Sequence, residues 1–189
     1  MIDPERLGKS EAREVQTMTS SNNPVNLTKI LEANKRIAHY EEIILEHLVA
    51  MTKGDSPEHS HGLLILLGDY YGQDLPECSY REGQNYLVGQ EPRYVTDDDF
   101  PEFLYELADP NRDGAIIVDR GAGQIAALDV LVETDINSEV EPGLGMRHKT
   151  AAHISKNHRC IAAFVLNETW TAVRVYKNGR QDFVYKKDR

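Results

Sequence analysis

Three short constellations in the chain carry residue types capable of chemistry. Asp109-Pro110-Asn111-Arg112-Asp113-Gly114 places oxygen side chains at alternate positions before a glycine, as in the first half of a calcium-binding loop. The twelfth position is Arg120, where a bidentate glutamate is required, and the residues after Gly114 are β-branched, so a calcium loop is rejected. Asp113-Gly114-Ala115 sets a carboxylate beside two small residues at the head of an apolar run, which leaves room for a ligand near the backbone and equally fits a plain turn. Arg147-His148-Lys149 follows Gly143-Leu144-Gly145 at the expected start of a helix. Unpaired amides, the positive end of the helix dipole and two cationic side chains suit a polyphosphate there, while a solvated basic face is the ordinary alternative.

The elements that must position these residues follow from periodicity. Leu27, Ile30, Leu31, Ile37, Ile44, Leu45, Leu48 and Met51 recur at helical spacing, with Asn26 as a candidate N-cap and Gly54 as a stop. His61–Gly68 is a continuous apolar run, the pattern of a strand buried on both faces. The stretch from Tyr70 to Gln90 reads as loop with short strand. Thr96 is expected to cap a second helix running through Asp109, with three aspartates at its positive end and Pro101 in its first turns. Asp113–Asp119 and Gln124–Glu133 read as paired strands around a turn at Arg120–Gly123. A helix is expected from Met146, a strand over Arg159–Leu166, and a hairpin turning on Asn178-Gly179. This order predicts an α/β fold: one domain over residues 26–189, with a leading helix at 27–53, a core at 61–185, and a central mixed β-sheet flanked by helices. Residues 1–25 show no sustained apolar period and are expected to form a flexible arm.

Composition narrows the function classes. The 189 residues can bury one core. The net charge of −10 opposes general affinity for nucleic acid or an anionic membrane, and no apolar stretch approaches the length of a membrane span. A cytoplasmic protein is expected, with Cys78 and Cys160 as ordinary thiols. The charge is uneven: residues 147–189 carry +7 and residues 1–146 carry −17, so a local phosphate site is compatible with the acidic whole.

As an ordered set, HGLLIL, DDDFPEFLYELADPNRDGA and EVEPGLGMRHKTA resemble the diadenylate cyclase domain, whose hallmarks are a DGA motif followed about thirty residues later by GTRHR. The resemblance covers His61 to Tyr185. It implies condensation of two ATP into cyclic di-AMP with release of two pyrophosphates, by an ATP:ATP adenylyltransferase using Mg2+ or Mn2+. Catalysis in that family needs two domains face to face, so self-association into a homo-oligomer containing an active dimer is implied. Asp113 would lie by the ribose 3′-hydroxyl and the metal. Gly114 and Ala115 would lie against the nucleotide, and Val132 would pack on adenine. Met146, Arg147, His148, Lys149 and Thr150 match the phosphate-binding turn, with Arg147 and Lys149 as its cations. Asp113, Arg147 and His148 are the implied catalytic set, and Glu168, which aligns with the second acid of a family SEE stretch, is the implied metal ligand beside Asp113. The chain departs from the pattern at Met146 for threonine, Lys149 for arginine, Leu166 for serine, Asn167 for an acid, and Arg112 for the histidine that precedes DGA in some members. Two other readings are a catalytically silent nucleotide-binding regulatory module of the same fold and an adaptor acting through the N-terminal amphipathic helix.

Overall fold

The structure, a computed structural model, describes residues 27–54, 61–69, 78–80, 91–109, 112, 114–135 and 137–187. The expected arm, the Asn26 cap and Asp113 itself lie outside the described residues. The elements in chain order are α1 (Leu27–Lys53), β1 (Leu63–Gly68), β2 (Cys78–Tyr80), α2 (Phe100–Leu107), β3 (Ala115–Asp119), β4 (Ile125–Val132), α3 (Met146–Ile154), β5 (Cys160–Leu166), β6 (Ala172–Lys177) and β7 (Arg180–Lys186).

The strands form one seven-stranded sheet in the order β2-β4-β3-β1-β5-β6-β7. β1 and β3 run parallel, and every other neighbouring pair is antiparallel. The mixed α/β sheet expected from the sequence is therefore present. β1 sits at its centre, which explains why its run is apolar throughout: Leu63, Ile65 and Leu67 join the core under α1 and α2, while Leu64 and Leu66 face the core under α3. Tyr40, Ile44, Leu48 and Met51 form the buried stripe of α1, and a Lys177–Glu41 ion pair at 2.6 Å ties that helix to β6. Ala151 and Ala152 bring α3 close to the opposite face, against Leu64, Ala163 and Val165. Cys160 is a buried thiol at the head of β5. Among the described residues no helix is long and apolar enough to cross a membrane.

The second helix differs from expectation. It begins at Phe100 with Asp99 as N-cap, and no side chain caps it. The aspartates before it build a turn: the Asp97 carboxylate accepts the Tyr94 amide at 2.7 Å, and the Asp97 carbonyl accepts the Phe100 amide at 3.0 Å. Side-chain acceptance from a local amide competes with helix, and the first helical turn, with Pro101 in it, starts three residues later than a Thr96 cap would set it. The Asn178-Gly179 hairpin forms as its sequence dictates, both residues having positive φ (51° and 77°).

Candidate nucleotide site

The edge of the sheet where β1 and β3 begin and β4 and β5 end is concave. Gly114 opens β3 with φ +143°, a conformation that L side chains rarely adopt. A β-carbon there would stand 2.6 Å from Cα of Asp129 and 2.8 Å from the Val130 amide nitrogen. Asp129 itself has φ 55°, and the β3–β4 register shifts between Ala115 and Ile117, so β4 bulges toward Gly114. The Arg112 guanidinium, 3.5 Å from the Asp129 carboxylate, holds the same corner. The space left by the missing Gly114 side chain is thus filled by β4 backbone, so close packing by itself demands glycine here.

The bulge shapes a cleft of about 280 Å³ lined by Leu64, Gly114, Ala115, Val130–Val132, Met146, Arg147, Thr150 and Glu168. Five segments distant in sequence meet here. Thr150 joins two of its walls: its hydroxyl lies 2.5 Å from that of Thr134 beyond β4 and donates to the Met146 carbonyl at 3.0 Å. Arg147 lies at the junction with a second chamber of about 280 Å³, which it shares with Met146 and Glu168, and its Nη1 is 3.4 Å from Oε1 of Glu168. Together the chambers reach the size of a small-molecule site.

Gly62, which no sequence argument singled out, lies beneath Arg147. A β-carbon on it would meet the Leu166 carbonyl oxygen and stand 3.0 Å from Arg147 Nη1. The signal for it was only a glycine at the entrance of a fully buried strand.

The turn that presents Glu168 is built by its neighbours. Asn167 Oδ1 accepts the amides of Thr171 and Ala172 at 2.8 and 2.9 Å, and its Nδ2 donates to the hydroxyls of Thr169 and Thr171. Trp170, with φ 50°, buries its ring against Tyr105 and donates its indole N–H to the His61 carbonyl at 3.2 Å. Glu168 is left 74% exposed at the cleft rim.

The Arg147-His148-Lys149 triplet is not one surface. Arg147 lines both chambers, Lys149 lines neither, and His148 is buried, 6% exposed, with Nδ1 3.2 Å from the Tyr176 hydroxyl. Burial, with Arg174 and Arg147 nearby, pushes the His148 pKa down to about 4 from 6.5, against a weaker opposing effect of Glu141. Burial likewise pushes Tyr176 up to about 12. Near neutral pH His148 is an uncharged packing and hydrogen-bonding group.

A stability effect follows. Above pH 6.5 His148 is neutral in both folded and unfolded chains. As pH falls from 6.5 toward about 4, the unfolded chain takes up a proton that the folded chain refuses. Stability is expected to drop across that window by on the order of 2 kcal/mol, and His148→Gln to flatten the dependence. Urea unfolding at a series of pH values checks this; an unchanged slope in the variant would refute it.

Residues 56–181 match the family described as DAC, DisA bacterial checkpoint controller nucleotide-binding. The chain belongs to that family. It is accordingly a nucleotide-binding domain of the diadenylate cyclase type, and the DisA-family match spans both the Gly114–Ala115 corner and the Arg147 turn. No curated protein matches the sequence. Among solved structures, a hypothetical membrane spanning protein from Bacillus cereus shares the fold at TM-score 0.50 and 18% identity, over 86% of this chain and 74% of that one. A double mutant of DacA from Staphylococcus aureus aligns at TM-score 0.49 and 19% identity, over 84% of this chain and 89% of that one.

Proposed function

We propose that the chain is a diadenylate cyclase, joining two ATP molecules into cyclic di-AMP with release of two pyrophosphates. The observation that carries this reading is the convergence of Gly114–Ala115, the end of β4, the start of α3 and Glu168 on a single cleft. In it, Val132 packs on adenine, Arg147 neutralises phosphate, and Asp113, next in the chain to Gly114, stands by the ribose 3′-hydroxyl. His148 acts by holding the base of the Arg147 turn instead of by donating charge. Each domain offers one such cleft, so the reaction needs two domains facing each other, each holding one ATP in line with the other.

The described residues contain no cluster of three histidine, cysteine or acidic side chains. On the cyclase reading a Mg2+ or Mn2+ ion would rest on Asp113 and Glu168 together with phosphate oxygens, a donor set that suits these hard cations. Such an ion supplies charge neutralisation at the phosphates.

Incubation of the protein with ATP and Mn2+ or Mg2+, at concentrations that favour association, with products resolved by mass, tests the reading. Cyclic di-AMP is the expected product. Arg147→Met is expected to lower its formation by about 10²-fold, since a preorganised cation is removed from the phosphates; steady-state rates check it. The alternative, a silent nucleotide-binding module, draws support from Asn167: the position of a family acid is here committed to four hydrogen bonds within its own turn. ATP binding without product would select that alternative, and absence of ATP binding would defeat both.

A further inference from the structure

We infer that Arg174 is a phosphate-binding residue, and that the chamber it lines beside the cleft takes the terminal phosphates of a bound nucleoside triphosphate. The inference rests on the nucleotide reading above and adds to it a residue that lies outside both sequence motifs. Arg174 is on β6, near the middle of a buried strand, and its side chain is only 8% exposed. Its Nη2 is 3.7 Å from Oε2 of Glu141, beyond hydrogen-bond range, and that glutamate is 56% exposed. Its Nε is buried with no hydrogen-bond partner. A buried guanidinium so loosely paired is under-compensated, and an anion entering the chamber would complete its bonds in the planar forked geometry that arginine offers to phosphate.

The rest of the chamber agrees. Its floor is the start of α3, where the N-cap Gly145 provides no side-chain cap and the first amides precede the intrahelical ladder. A β-carbon on Gly145 would touch nothing within 4 Å, so packing does not demand glycine there, and its bareness leaves those amides open. Arg147 lines the same chamber and connects it to the cleft, whereas Lys149 lines neither space. Arg174 therefore stands as the second guanidinium of the site in a chain whose basic turn carries lysine at its third position. Among the described lining residues Glu168 is the one carboxylate, at the rim.

Calorimetric titration of the full chain with AMP, ATP and inorganic pyrophosphate provides the test. The native protein is expected to prefer ATP over AMP by about tenfold or more, and Arg174→Gln to reduce that preference to within about twofold while leaving AMP affinity unchanged. Glu141→Gln, which removes the competing carboxylate from an exposed position, is expected to tighten ATP and pyrophosphate several-fold without altering AMP. Arg174→Gln that melts cooperatively and keeps the full ATP preference would overturn the inference, as would Glu141→Gln with unchanged ATP affinity. The second variant decides the matter if the first does not fold. Native protein that binds neither AMP nor ATP would overturn the nucleotide reading beneath it, a distinguishable result.

Discussion

Asp113→Asn is expected to lower cyclic di-AMP formation by about 10³-fold or more while changing ATP affinity by less than about tenfold. The substitution keeps the shape and most hydrogen-bonding capacity of the side chain and removes its charge. A neutral amide can neither take up the proton of a ribose hydroxyl nor hold a divalent cation, and both tasks fall to this residue on the cyclase reading. The chain on either side is firmly placed: Arg112 is paired with Asp129, and Gly114 is wedged against the bulge of β4. On the cyclase reading the loss of this charge should fall on turnover instead of folding. Product quantified by mass in single-turnover reactions, alongside ATP titration, checks the expectation. Turnover within tenfold of the native rate would show that the acid of the DGA motif is not the group that matters.

Much of this architecture was legible because local signals agreed with the global fold. The unbroken apolar run at Leu63–Leu67 could only be satisfied with a core on each face, and Asn178-Gly179 needs the positive φ values that a two-residue hairpin demands. The DGA and Arg-His-Lys segments could be paired because their separation matched a known pattern, not because either was informative alone. What escaped the sequence depends on tertiary contact. Thr96 looked like a cap, yet Asp97 captured the Tyr94 amide first. His148 and Lys149 look like Arg147 in a basic triplet, but a helix sends successive side chains in different directions, so Arg147 lines both chambers, His148 is buried and borders only the second, and Lys149 lines neither. Arg174 was not singled out by the sequence, since a charge within the terminal hairpin is ordinary, and nothing local reveals that its side chain is buried and lines a chamber beside the start of α3. Asn167 likewise reads as a lost acid until its four bonds show what replaced the acid's task.

Gly114→Ala is expected to destabilise the fold by about 3 kcal/mol or more, lowering the melting temperature by about 10 °C and abolishing measurable nucleotide binding. Two penalties add. At φ +143° an L side chain is strained whatever space surrounds it, and here the space is occupied by backbone, with Asp129 Cα at 2.6 Å and the Val130 nitrogen at 2.8 Å from the new methyl. Neither neighbour can yield cheaply. Val130 is paired with Ala115 on one side and with Tyr80 on the other, so shifting it would break the ladder on both edges of β4. The same shift would move Val130–Val132 out of the cleft wall, which is why binding should vanish together with stability. Gly145→Ala provides the control. Its φ of −79° is ordinary, and the added methyl meets no atom within 4 Å, so its stability change should stay within about 1 kcal/mol, the cost of alanine for glycine at an N-cap. Thermal melting of the two variants side by side separates backbone necessity from mere glycine content. Equal, small losses would mean that the bulge of β4 is pliable and that Gly114 does not fix this corner of the cleft.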